Sequence, residues 1–293
     1  MPRTTTRRIH AGRTLAAALG ALLLAGCSTP AAPHSTTDTP APSASANDPT
    51  GRPARTGFTV YDTTFYANLD LTQIGVAKAD IIYASAVAVL SGQTDPGGPN
   101  GGPKTELALP PKDAYQQLVR QHLTAAGPLV LDYETLYLQG TPEDAQRHYQ
   151  KLSTLLQWTH EAAPGKKVGF WGVLGNTQPA YYPLARTLAQ NEDVFFPDLY
   201  TFSPDRGSWQ KRLDRDLAEA KQIAPDKPVY PFLWPQYPEH TPNANQYLPA
   251  DLWAYELTAC AKTANSVVLW GGSKNGNSNQ AWVDTTKQFL AHL

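Results

Sequence analysis

The chain has 293 residues, with 24 Lys and Arg against 25 Asp and Glu, a formal net charge of −1. A balance that even, with no basic run, leaves no electrostatic footprint for a nucleic-acid partner. Two cysteines, Cys27 and Cys260, are too few for a cysteine-based zinc site, and the seven histidines form no H-x-x-x-H pair, so neither a metal nor a cofactor is indicated.

In chain order the first element is a secretion signal, expected over residues 1–26. It opens basic and without an acid, then runs apolar from Thr14 to small residues, too short to span a bilayer as a helix. Its end, Leu24-Ala25-Gly26-Cys27, resembles the lipobox of bacterial lipoproteins. That resemblance implies cleavage before Cys27, a lipid on the Cys27 thiol, and a location outside the cytoplasm on the bacterial cell membrane. Taking the four arginines Arg3, Arg7, Arg8 and Arg13 from the 24 basic residues leaves 20 against 25 acidic ones, a net −5 for the mature chain. Residues 27–56 are dominated by Ser, Thr, Pro and Ala without a large apolar side chain. They cannot bury a core and read as a disordered tether. Residues 57–293 are the expected folded unit, expected to be a monomer with a glycan as partner. Cys260 sits in an apolar helical pattern and is expected as a small core residue.

Seven strand-like runs follow: Phe58–Tyr61, Ile81–Ala84, Pro128–Glu134, Lys167–Val173, Val194–Tyr200, Pro228–Trp234 and Ser266–Gly272. Helical patterns cover Pro111–Leu123, the segment opened by Thr141 with Pro142 behind it, Asp205–Ile223, Leu248–Ala264 and Asn279–His292. Strands alternating with helices predict parallel βα units and a distorted (β/α) barrel of seven or eight strands. An open doubly wound sheet is the alternative, although no strand is followed by a glycine-rich phosphate loop. The run Ser91–Pro103, rich in Gly and Pro, reads as a rim loop beside the second strand or as plain surface.

In such barrels the site forms at the C-terminal strand ends. Those ends carry Tyr61 and Asp62, Tyr83, Asp132 and Glu134, Trp171, Asp198 and Tyr200, Trp234, Gln236 and Tyr237, and Trp270. Flat aromatic faces suit sugar rings, and carboxylates suit acid–base chemistry on an acetal. The alternative for the aromatics is barrel packing. The stretch Val130–Leu138, VLDYETLYL, holds Asp132 and Glu134 two apart, so on a strand they face the same way. Their mutual repulsion and shared loss of water suit a general acid. Glu134, outermost and longer, is the candidate acid, with Asp132 deeper.

These motifs together resemble the hyaluronidases of the bee-venom and mammalian type. VLDYETLYL resembles their catalytic I-D-W-E strand, KVGFWG their G-F/Y-Y-G strand, FFPDLY their F-P-S-I-Y, and KPVYPFLWPQY their P-V-L-P-Y. YLPADLW with ANSVVLWGG resembles their L-P and G-V-V-L-W. The resemblance implies a glycosidase barrel in which Glu134 is the acid/base. Asp132 would position the 2-acetamido group of an N-acetylhexosamine whose own carbonyl oxygen is the nucleophile. Tyr200 and Trp270 would hold that sugar, and Tyr237 would be a further groove aromatic. Tyr133 stands where Trp is usual, and the family's disulfides are absent. After GFWG the family's substrate-binding Tyr has only Tyr181 and Tyr182 as candidates, and no Arg cluster suits uronate carboxylates. A lysozyme-type muramidase and a non-catalytic glycan-binding lipoprotein are the competing readings.

Overall fold

The computed structural model describes residues 56–93, 105–272 and 276–293, all within one compact unit, Ser45–Leu293. Cys27, the signal, the tether up to residue 55, and the greater part of the Ser91–Pro103 loop lie outside the described residues. Where the chain resumes, Glu106 is clamped onto a helix by Arg147, whose guanidinium stands 2.7 Å from it.

The strands are β1 (Val60–Asp62), β2 (Ala77–Lys78), β3 (Asp80–Tyr83), β4 (Leu129–Asp132), β5 (Val168–Phe170), β6 (Phe232–Leu233) and β7 (Val267–Leu269). Every pairing among them is parallel, in the orders β2-β1-β7-β6 and β3-β4-β5. Strands β2 and β3 are two halves of one stave, the first half paired to β1 and the second to β4. Residues 194–198 fill the other gap with parallel bridges Trp171↔Phe196, Phe195↔Val229 and Asp198↔Phe232. The result is a closed, distorted (β/α) barrel of seven staves, at the seven positions the sequence predicts. Two staves are thin for a local reason: Pro197, Pro228 and Pro231 have no N–H to give to a ladder.

The helices are α1 (Ala84–Leu90), α2 (Lys112–His122), α3 (Pro142–Ala162), α4 (Val173–Asn176), α5 (Tyr182–Ala189), α6 (Arg206–Ile223), α7 (Ala250–Thr263) and α8 (Ala281–Leu290). Helix α3 starts on the expected cap. The Thr141 hydroxyl accepts from the Asp144 N–H, and the Asp144 carboxylate accepts from the Thr141 N–H. Helices α1, α4 and α5 are additions to the expected set. The Ala/Val run of α1 continues the apolar strand before it, so no change of period marks its start.

Side-chain alternation divides the core into shells. Leu129 and Leu131 of β4 pack outward, with α3 residues such as Leu152 and Leu156 in the same cluster. Val267 and Leu269 of β7 pack in a second outer cluster with Trp253 and Leu257 of α7. Val130, Val194, Phe196, Tyr230, Phe232 and Val268 fill the barrel interior. Cys260 is fully buried on α7.

Several carboxyls are buried in and beside these shells. Burial pushes Glu256 up to about 8, against a hydrogen bond from the Thr201 hydroxyl. It likewise pushes Glu192 to about 7 and Glu219 to about 7. Each therefore binds its proton more tightly folded than unfolded, and stability falls as pH rises from the ordinary carboxylate range through about 8. The melting temperature is expected to be higher at about pH 5.5 than at about pH 8. Glu256→Gln keeps an acceptor for Thr201 and should raise the melting temperature at the alkaline end. The gain should be about 2–4 °C for each kcal/mol recovered, vanishing in acid. Thermal melts of both proteins across pH check this.

Candidate active site

The same alternation places the site. Two residues beyond the interior side chains Ile81, Val130, Phe196, Phe232 and Val268 come Tyr83, Asp132, Asp198, Trp234 and Trp270. All five line one cavity of about 570 Å³ at the C-terminal ends of the staves. The cavity is thus the top layer of the barrel interior, left unfilled.

Of the four carboxylates that line it, Asp132, Glu134 and Asp198 stand at the strand ends and Glu239 on a turn beyond them. Asp132 ends β4, and one of its oxygens is buried with no hydrogen-bond partner. Burial, then the charges of Glu134 and Asp198, hold its carboxyl well above the usual range. The strand stops there: Tyr133 leaves the extended conformation (φ −122°, ψ 63°) and Glu134 opens a 3-10 turn, Glu134–Leu136. The expected strand to Glu134 is therefore two residues too long, yet both carboxylates still line the cavity. Between them Tyr133 turns into the outer core, its hydroxyl 2.8 Å from that of Tyr115. Glu134 stays exposed at the mouth. Partial loss of water and the Asp198 charge still raise its pKa. Asp198 is raised by burial against the Tyr200 N–H it accepts at 3.0 Å and the Arg212 guanidinium at 3.7 Å. Arg212 also donates to the Asp198 and Tyr200 carbonyls and lies over the Phe202 ring, 4.3 Å from its centroid.

Aromatic walls surround these acids. Tyr200 stacks on Trp270 with centroids 5.5 Å apart and meets Trp234 edge-on at 5.5 Å. Trp234 and Trp270 meet at 4.9 Å, and Trp171 stands 6.0 Å from Tyr200. Gly271 (φ +116°) permits this closeness, because a Cβ there would collide with the Trp234 indole. The Trp270 indole N–H donates to the Tyr83 hydroxyl at 2.9 Å. The indole nitrogens of Trp171 and Trp234 are buried without a partner.

Three of the predicted strand-end residues stand apart. Tyr61 packs in the barrel interior, its ring stacked on Tyr230. Asp62 follows the interior residue Tyr61 by one position, so it faces the other way. It is 2% exposed and bound 2.6 Å from the Lys78 ammonium. On that stave the cavity residue is Phe65, which lies beyond the end of β1 at Asp62, where strand alternation no longer applies. Tyr237 is buried in the outer core instead of the groove. Tyr181 hydrogen-bonds the Gly140 carbonyl at 2.7 Å, and neither it nor Tyr182 lines the cavity.

Apart from Gln236, an expected strand-end residue that lines the cavity, sequence reasoning missed the rim made by residues 235–248. The backbone folds back there, with Tyr237 N–H to the Gln246 carbonyl and Asn245 N–H to the Tyr237 carbonyl, both 2.9 Å. Gln236 ties the turn down by accepting from the Tyr66 hydroxyl at 2.8 Å. Asn245 adopts φ 61°, which Asn tolerates better than most residues. Pro238, Glu239, His240 and Asn245 of this turn line the cavity. No periodicity marks them in the sequence. Among the described residues no cluster of His, Cys, Asp and Glu is arranged to hold a metal, and no helix is long and apolar enough to cross a membrane.

No family model matches the chain, and no curated protein matches it. Among solved structures, bee venom hyaluronidase superposes with a TM-score of 0.50 at 13% identity, over 80% of this chain and 97% of that one. The bee enzyme in complex with a hyaluronic acid tetramer gives 0.50 at 16%, over 80% and 96%. At such identities the likeness is one of fold.

Proposed function

We propose that this barrel is a glycoside hydrolase acting on an N-acetylhexosamine-containing glycan by substrate-assisted acid/base catalysis. The observation that carries this reading is the pairing of Asp132 with Glu134 at the strand ends, inside an aromatic-walled cavity. In the proposed reaction the acetamido carbonyl oxygen of the bound sugar attacks its own C1. Glu134 gives its proton to the departing glycosidic oxygen, and a cyclic oxazolinium forms on the sugar. Glu134, now a carboxylate, takes a proton from water as that water opens the ring. The bound sugar's N–H and the positive charge developing on it favour the carboxylate form of Asp132, which accepts the acetamide N–H, orients the nucleophile and balances that charge, while the proton of the acid pair stays on Glu134. No protein nucleophile is needed. A raised Glu134 pKa keeps its proton available nearer neutrality than an ordinary Glu would. Release of reducing ends from hexosamine polysaccharides, with inhibition by an N-acetylglucosamine thiazoline, tests the reading.

The chain is further proposed to be held at the outer face of a bacterial membrane by lipid on Cys27. The motivation is Leu24-Ala25-Gly26-Cys27 followed by a Ser/Thr/Pro/Ala-rich run. A flexible segment of that length spans roughly 30 Å, enough for the barrel mouth to meet glycans above the bilayer. Fractionation of cells should place the wild-type chain with membranes and Cys27→Ala in the soluble fraction. Equal partition of the two would overturn the anchor.

A further inference from the structure

Among the described residues the charges lining the cavity are one-sided. Asp132, Glu134, Asp198 and Glu239 line it, against the single imidazole of His240. Among the described residues no Lys or Arg lines it. The nearest guanidinium, Arg212, pairs with Asp198 at 3.7 Å while donating to the Asp198 and Tyr200 carbonyls, so Asp198 is balanced from behind and the rim carboxylate Glu239 is the acid set outside that guanidinium's grip. Asp132 is held up first by burial and then by the charges of Glu134 and Asp198. Between the acids stand the packed rings of Tyr200, Trp234 and Trp270, whose faces are negative. Carboxylates set among aromatic faces attract an organic cation by charge and by cation–π contact together. They repel a glycan that brings carboxylates of its own. The buried, unpartnered oxygen of Asp132 is an acceptor open to an N–H donor from a ligand.

Resting on the hexosamine-glycan reading above, we infer that the cavity selects a polymer in which part of the amino groups are free, over one carrying uronates. A partly N-deacetylated hexosamine chain meets both demands. An acetylated unit supplies the nucleophilic carbonyl beside Asp132 and Glu134, and the ammonium group of a neighbouring unit answers Glu239 on the rim.

The test titrates the full chain bearing Glu134→Gln, which binds without turnover, at about pH 6, where amino sugars are cationic and ordinary carboxylates ionised. Three ligands are compared: a fully N-acetylated glucosamine tetrasaccharide, its half-deacetylated form, and a hyaluronan tetrasaccharide. The half-deacetylated ligand is expected to bind about 10-fold more tightly than the hyaluronan one and to weaken as salt is raised. Adding Glu239→Gln should weaken the half-deacetylated ligand several-fold and leave the acetylated one unmoved. Equal or tighter binding of the hyaluronan ligand, or an equal effect of Glu239→Gln on both glucosamine ligands, overturns the inference. Hydrolysis by the wild-type chain is read separately. Cleavage of the acetylated glycan with no charge preference sinks the inference alone. A charge preference with no cleavage of any glycan sinks the hydrolase reading alone.

Discussion

Glu134→Gln is expected to lower turnover on an accepted glycan by about 100- to 10,000-fold, the usual loss when a general acid/base is removed. The chain should fold normally. Glu134 is exposed at the cavity mouth, so circular dichroism should match the wild type. The melting temperature should be equal in acid and no lower near neutrality, because a carboxyl raised in the folded state and a charge pressing on Asp132 are both removed. The pH profile sharpens the test. As the proton donor Glu134 must be protonated, so the wild-type rate should fall on the alkaline limb as it ionises. Its raised pKa sets that limb above the position of an unperturbed Glu. The residual rate of the Gln variant should lose this limb. Near-wild-type turnover, or an unchanged limb, would remove Glu134 from the role.

Asp132→Asn should cost about as much rate and yet stabilise the fold. The functional loss follows from its proposed part in the nucleophilic step. A neutral amide can still meet the acetamido group, but it cannot balance the positive charge that grows on the oxazolinium. Affinity for the thiazoline should fall with the rate. Unimpaired thiazoline binding, or labelling of Asp132 or Asp198 by a fluorosugar, would mean that a protein carboxylate is the nucleophile. The gain in stability has the opposite origin. In the resting protein Asp132 is held well above the usual carboxylate range by burial and by two neighbouring acids, with an oxygen left unpartnered. A carboxyl raised in the folded state costs stability once pH exceeds its unfolded value, and the cost grows as pH rises. Asn does not ionise, so the variant should melt higher than wild type near neutrality, by about 2–4 °C per kcal/mol recovered. The difference should shrink to nothing in acid, where both side chains are neutral. A variant that loses activity and stability together would point to a packing role.

The order of the seven staves, the cap of α3 and the Asp132–Glu134 pair were legible from sequence. Each rests on a period or on a contact between residues a few positions apart: apolar runs, the Thr141–Asp144 capping exchange, the two-residue repeat of a strand. The same repeat, followed strictly from Tyr61, would have rejected Asp62, whereas Phe65 lies past the end of β1 and is placed by the loop. Tertiary structure decided the rest. Residues 194–198 read as a strand in the sequence, but their closing of the barrel through single bridges to Trp171, Val229 and Phe232 is a tertiary outcome, Pro197 having no N–H for a continuous ladder. Burial of Tyr237, the grip of Arg212 on the Asp198–Tyr200 backbone, and the placing of Glu239 and His240 on the rim join residues with no shared local period. Local chemistry writes which face a side chain takes on its own stave. Which carboxylates and rings then share one cavity, and so shift one another's protons, is settled only when the barrel closes and brings them into one layer with little water between them.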